Sequence, residues 1–116
     1  LKIILKKVRA IRRYYCCCTR SFEKIVDYVG MSKLINEYSA VVIDVRSQQE
    51  FKEGHINGAI NIPLYRIKND CTNVITDRNK YIVVYCTSGI RSQKAQIILN
   101  SLGYNNVYNL KCGYIQ

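Results

Sequence analysis

Two stretches of the chain are apolar without interruption. Ala40-Val41-Val42-Ile43-Asp44-Val45 is a β-branched run ending in a charge, and Tyr81-Ile82-Val83-Val84-Tyr85 is a second. A half-exposed strand would alternate apolar and polar residues, so unbroken apolarity over so few residues predicts strands buried on both faces of a parallel sheet. Elsewhere the period lengthens to that of helices. Ser47 opens a helix with Glu50 three residues later, the spacing of a capping box, and Gly54 stops it. Arg91 to Ser101 puts Ala95, Ile98, Leu99 and Leu102 on one face, with Gly103 at its end. Lys24 to Val29 predicts a short edge strand, and Ser32 a capped helix through Tyr38 with Leu34 and Ile35 inward. His55-Ile56-Asn57-Gly58 reads as a turn and Ala59-Ile60-Asn61-Ile62 as a short strand ended by Pro63. The stretch 64–79 reads as helix and loop, and Asn106 to Leu110 as a last strand. Alternating strands and helices predict an α/β fold, a parallel sheet with helices on both faces. Ligands of such sheets bind beyond the carboxyl ends of the strands, and Cys86 falls at one of those ends.

A length of 116 residues fits one domain, and 48% hydrophobic against 22% charged residues excludes general disorder. Charge divides the chain. Residues 1–20 carry seven basic groups and no acidic one, whereas the remaining 96 carry 11 basic and 8 acidic. This predicts a basic N-terminal segment over 1–21, poorly ordered, ahead of a folded domain over 22–116. The segment can make weak electrostatic contact with anionic membrane surfaces or phosphates, but nothing after it reads bases, so no specific nucleic acid is expected as a partner. The longest uncharged apolar run near the start is Ile3-Ile4-Leu5. A signal core needs ~7–15 residues and a membrane span ~20. The expected location is therefore the cytoplasm, with an upstream anchor left open because the chain begins without Met.

The cysteines are Cys16, Cys17, Cys18, Cys71, Cys86 and Cys112, with a single histidine and no CxxC pair. That pattern supports neither a disulfide framework nor a zinc site, and no metal or cofactor is expected. Cys16–Cys18 reads as an incidental run and Cys71 as inert. Cys86 differs. It follows a buried strand and precedes a turn, Thr87-Ser88-Gly89-Ile90, and a helix starting at Arg91-Ser92. A loop feeding a helix N-terminus aims backbone N–H groups into one space, Gly89 lets the backbone bend, and Arg91 adds a guanidinium fork. Such surroundings lower a thiol's pKa and favour a nucleophilic thiolate.

Two blocks resemble the rhodanese family of sulfurtransferases over roughly residues 24–116. The first runs from Val42-Ile43-Asp44-Val45-Arg46 through Glu50 and Gly54-His55-Ile56-Asn57-Gly58-Ala59 to Ile62-Pro63, and is similar to the family's "IDVR…E(F/Y)…GHIxGAxNIP" signature. The second, Cys86-Thr87-Ser88-Gly89-Ile90-Arg91-Ser92, is similar to its "CxxGxRS" loop. The resemblance implies a five-stranded parallel sheet and a sulfur-carrying persulfide at Cys86. It implies that the loop of Thr87, Ser88, Gly89, Ile90 and Arg91 binds the transferred sulfur, with Arg91 helping to hold an anionic donor. The donor implied is thiosulfate or a persulfide, and the acceptor a thiol, a dithiol protein or cyanide. Asp44, Arg46, His55 and Ser92 are expected in support: Asp44 ends a strand, Arg46 can pair with Glu50 across one helical turn, and His55 orders the turn.

The chain departs from the family pattern twice. Thr87 stands where the family often has Arg, which should weaken thiosulfate binding. Cys112-Gly113-Tyr114 replaces a closing "GG…W", and Cys112 reads as a tolerated glycine replacement, the alternative being a second thiol that resolves the persulfide. Two rival readings bear on the same residues. Four residues separate Cys86 from Arg91, one fewer than in the loops with which cysteine phosphatases and arsenate reductases enclose their anion. A non-catalytic docking module would usually lack the cysteine that this chain retains beside Gly89 and Arg91.

Overall fold

The computed structural model describes residues 24–115. Its elements are β1 (Ile25–Val26), α1 (Tyr28–Tyr38), β2 (Val41–Asp44), α2 (Gln48–Glu53), β3 (Ile60–Asn61), a 3-10 turn (Leu64–Arg66), α3 (Ile67–Val74), β4 (Tyr81–Tyr85), α4 (Ile90–Ser101) and β5 (Asn106–Leu110). Five strands form one parallel sheet in the order β1-β5-β4-β2-β3. The two continuous apolar runs occupy its middle: β4 pairs with β2, Val41 opposite Ile82 through Asp44 opposite Tyr85, and on its other side with β5, Tyr81 opposite Asn106 through Val84 opposite Asn109.

Successive side chains of β4 point to opposite faces. Ile82 and Val84 join Ile67 and Cys71 of α3 and Ala95 and Leu99 of α4 in one core. Val83 and Tyr85 join Met31 and Leu34 of α1 in the other, with Phe51 of α2 packed against it. Ile82, Val83, Val84 and Tyr85 expose no surface, and burying an aliphatic or aromatic side chain of that size contributes ~1.5–3 kcal/mol. The next residue in this alternation is Cys86, which falls on the α4 face at the carboxyl edge of the central strand. Among the described residues no helix is long and apolar enough to cross a membrane, and no group of three His, Cys, Asp or Glu could hold a metal ion. The basic segment 1–21, including Cys16–Cys18, lies outside the described residues.

The structure corrects three local expectations. The edge strand ends at Val26, because Asp27 caps α1 by accepting a hydrogen bond from Gly30 N at 2.7 Å, which places Ser32 inside the helix. With that start, Met31 and Leu34 take the core positions and Ile35 is exposed. The strand expected over 59–62 pairs only at Ile60–Asn61. The Ser47–Glu50 capping box and the end of its helix at Gly54 are as expected.

Candidate active site

Cys86 leaves β4 and enters a turn that ends at Gly89, the N-cap of α4. Gly89 has φ +92°, a left-handed conformation that a side chain would strain. This bend folds the loop back over the sulfur. Gly89 N–H donates to Cys86 Sγ at 3.0 Å and Ser92 N–H at 3.4 Å, and Ser92 Oγ lies 3.4 Å from the same sulfur. Burial acts to push the Cys86 thiol up, but hydrogen bonds from the Ser92 hydroxyl, the Ser92 amide and the Gly89 and Ser88 amides outweigh it, and the thiol stands below its ordinary value. The sulfur has no exposed surface, so it sits inside the loop's own cradle.

Ser92 Oγ also donates to Asn109 Oδ1 at 2.7 Å, and Asn109 Nδ2 donates to Gly89 O at 3.4 Å. Asn109 of β5 thus ties the adjacent strand to Gly89 and Ser92, the two residues whose N–H groups reach the sulfur. Sequence reasoning missed it, although an Asn within a strand is a signal: the residue type is depleted there, and a buried amide must find partners.

The basic side chains are engaged differently from expectation. Arg46 does not pair with Glu50. It lies before α2, outside any helical turn, and folds back onto Asp44, with Arg46 Nη2 donating to Asp44 Oδ2 at 2.8 Å in a pair that is 4% and 0% exposed. Arg46 also donates to Gly54 O at 2.6 Å and lies over the Tyr114 ring at 4.5 Å. Asn61 Nδ2 donates to Asp44 O and Arg46 O, both at 3.0 Å, pinning the end of β2. Glu50 pairs instead with Arg91, whose Nη1 and Nη2 donate to its two carboxylate oxygens at 2.7 and 3.1 Å. Arg91 holds the Glu50 carboxyl far down, to about 2, against partial burial and with help from Ser47. The cation expected to receive an anionic donor therefore already has a carboxylate partner.

His55 is in the turn between α2 and β3, with Nδ1 2.8 Å from Phe51 O and its ring stacked on Phe51. The turn at 111–114 closes over the loop's backbone: Tyr114 N–H donates to Cys86 O at 2.8 Å, and Tyr28 Oη donates to Gly113 O at 2.8 Å. A shallow cavity of about 580 Å³ opens beside the loop, lined by Arg46, Glu50, Glu53, Thr87, Cys112 and Tyr114 among others. Cys86 itself does not reach this cavity, whereas Cys112 is exposed. Cys71, on α3, is buried in the same core, and burial raises its thiol.

Comparison with known proteins places this geometry in a family. A model of the rhodanese-like domain matches residues 30–116. The thiosulfate sulfurtransferase PspE of Escherichia coli is 40% identical over 67 residues, which cover 58% of this chain and 64% of that protein. A protein named tRNA uridine(34) hydroxylase from Buchnera aphidicola is 31% identical over 90 residues, 74% of this chain but 29% of that one. The chain thus spans less than two thirds of the length of either relative. Among solved structures, a human single-domain sulfurtransferase matches with a TM-score of 0.69 at 25% identity, covering 78% of this chain and 91% of that one. The matched span, the parallel five-stranded sheet and the loop between β4 and α4 agree, and the chain belongs to the rhodanese-like domain family.

Proposed function

We propose that this chain is a sulfurtransferase that carries a sulfane sulfur on Cys86 as a persulfide. The observation that carries the reading is the convergence of backbone N–H groups and the Ser92 hydroxyl on Cys86 Sγ at the start of α4, with the thiol lowered despite complete burial. A thiolate so held attacks the outer sulfur of a donor. With thiosulfate, the Cys86 S–S bond forms as the donor's S–S bond breaks, and sulfite leaves with the electron pair. An acceptor thiolate then attacks the outer sulfur of the persulfide, becomes a persulfide itself and returns Cys86 as thiolate. Each half-reaction conserves charge and needs no cofactor. The donor is thiosulfate or a persulfide and the acceptor a thiol or dithiol protein, in keeping with relatives named for sulfur transfer.

The loop residues divide the work. Cys86 is the nucleophile, Gly89 and Ser92 hold its charge, and Asp44, Arg46 and Asn109 hold the loop's surroundings. The terminal sulfur of the persulfide is also an anion, and the same N–H groups are suited to it once the loop opens to admit the donor.

Intact mass after incubation with thiosulfate, and separately with glutathione persulfide, tests the reading against Cys86→Ser. Sulfur transfer adds one sulfur, about 32 Da, to the native protein and none to the variant. No gain with either donor removes the enzymatic reading and leaves a partner-docking domain in its place.

A further inference from the structure

Both arginines at the mouth of the sulfur loop are occupied. Arg91 gives its two terminal nitrogens to Glu50 in a bidentate pair, and Arg46 is bound by Asp44. Glu50 is itself fixed: as the third residue of α2 it accepts from Ser47 N at 3.2 Å and from Ser47 Oγ at 3.1 Å. The clamp on Arg91 is therefore anchored to the start of a helix and is not a pair of wandering side chains. The cavity beside the loop adds a second carboxylate, Glu53, and its arginine is already neutralised by Asp44. Thr87, at the same mouth, contributes no charge, and its Oγ1 accepts at 3.5 Å from Arg91. A small dianion arriving here meets two carboxylates, and neither guanidinium is free to fork onto it.

We infer that Glu50 is a specificity-determining residue: by clamping Arg91 it turns the site away from small dianionic donors and toward persulfides of low or positive charge. The inference rests on the sulfur-transfer reading of Cys86 and names the donor class for it. Glu50 touches no reacting atom and acts through Arg91. At neutral pH it is ionised, since its carboxyl titrates far below that range.

Glu50→Gln is the discriminating substitution, because Gln also completes a capping box and so keeps α2 while removing the charge. The initial rate of sulfur loading on Cys86 is read by intact mass for the full chain, Glu50→Gln and Glu53→Gln. The two donors are thiosulfate and the persulfide of cysteamine, which carries an amine. Glu50→Gln should raise the thiosulfate rate about five-fold relative to the cysteamine persulfide rate, the size of a partly exposed ion pair. Glu53→Gln, which leaves the Arg91 clamp intact, should change that ratio less. The chain's net charge of +10 attracts thiosulfate as a whole, so salt is read as a difference: thiosulfate loading should slow more steeply with added salt in Glu50→Gln than in the native chain. A salt dependence equally steep in the two chains, or an unchanged donor ratio in Glu50→Gln, overturns the inference while leaving sulfur transfer standing. No sulfur on Cys86 from either donor removes both.

Discussion

The Ser92 hydroxyl has one proton and two acceptors, and this competition should tune the reactivity of Cys86. Ser92 Oγ donates to Asn109 Oδ1 at 2.7 Å while Cys86 Sγ waits at 3.4 Å. The amide of Asn109 is oriented by its other end, which donates to Gly89 O. Removing the donor and removing the competitor should therefore shift the thiol in opposite directions. Burial pushes the Cys86 thiol up, and the Ser92 hydroxyl is the first of the hydrogen bonds that hold it down. Ser92→Ala leaves burial less opposed, so the pKa rises. A hydrogen bond to a charged group is worth ~1.5–3 kcal/mol, and one pKa unit corresponds to about 1.4 kcal/mol. The sulfur contact is long, so the lower end applies, about a ten-fold loss of thiolate at neutral pH. Asn109→Ala frees the hydroxyl to turn onto the thiolate, and the pKa falls. The assay is the rate of Cys86 alkylation by iodoacetamide against pH, read by peptide mass in a Cys112→Ser background so that the exposed thiol does not contribute. Below its midpoint the rate follows the thiolate fraction, so at neutral pH Ser92→Ala should react about ten-fold more slowly than the native chain and Asn109→Ala faster. An upward shift in both variants would refute the reasoning, because Asn109 would then be supporting the loop and not competing for the proton.

Two further outcomes follow from the surroundings of the loop. Gly113 has φ +64°, and a Cβ there would lie 2.5 Å from Cys86 O and overlap Thr87 O. Both obstacles are backbone, so Gly113→Ala should cost about 3 kcal/mol or more in chemical denaturation; unchanged stability would show that the 111–114 turn is not seated on the loop. Glu50 titrates at about 2 in the folded chain against ~4.3 unfolded. A depressed carboxyl contributes stability above its unfolded pKa that is lost as pH falls through its folded one. The stability gap between the native chain and Glu50→Gln should therefore be flat above about pH 5 and close between about pH 4 and 2, and a gap that persists in full at the acid end would exclude this carboxylate as its source.

Legibility in the sequence followed locality. The runs 41–44 and 81–85 read as buried strands, and the strand, Cys86, Gly89 and helix start lie within one short segment, so the turn around the sulfur was readable from the sequence. The start of α1 was not, because Asp27 and Ser32 are both competent caps and the sequence does not say which backbone N–H each will reach. Arg46 was misassigned for a related reason. The i, i+4 rule holds only when both residues are helical, and α2 begins at Gln48. The contacts that tune the site are the least local of all. Glu50 meets Arg91 across 41 residues and Ser92 meets Asn109 across 17, distances that only the β2-β4-β5 neighbourhood closes. On the proposed reading the nucleophile is thus written in one loop, whereas the hydrogen bonds and charges around it come from residues of α2 and β5. A single-residue change in either element can retune the chemistry without touching the cysteine motif. If Glu50 and Asn109 act as proposed, family members with the same loop should differ in donor according to the residues at those two positions.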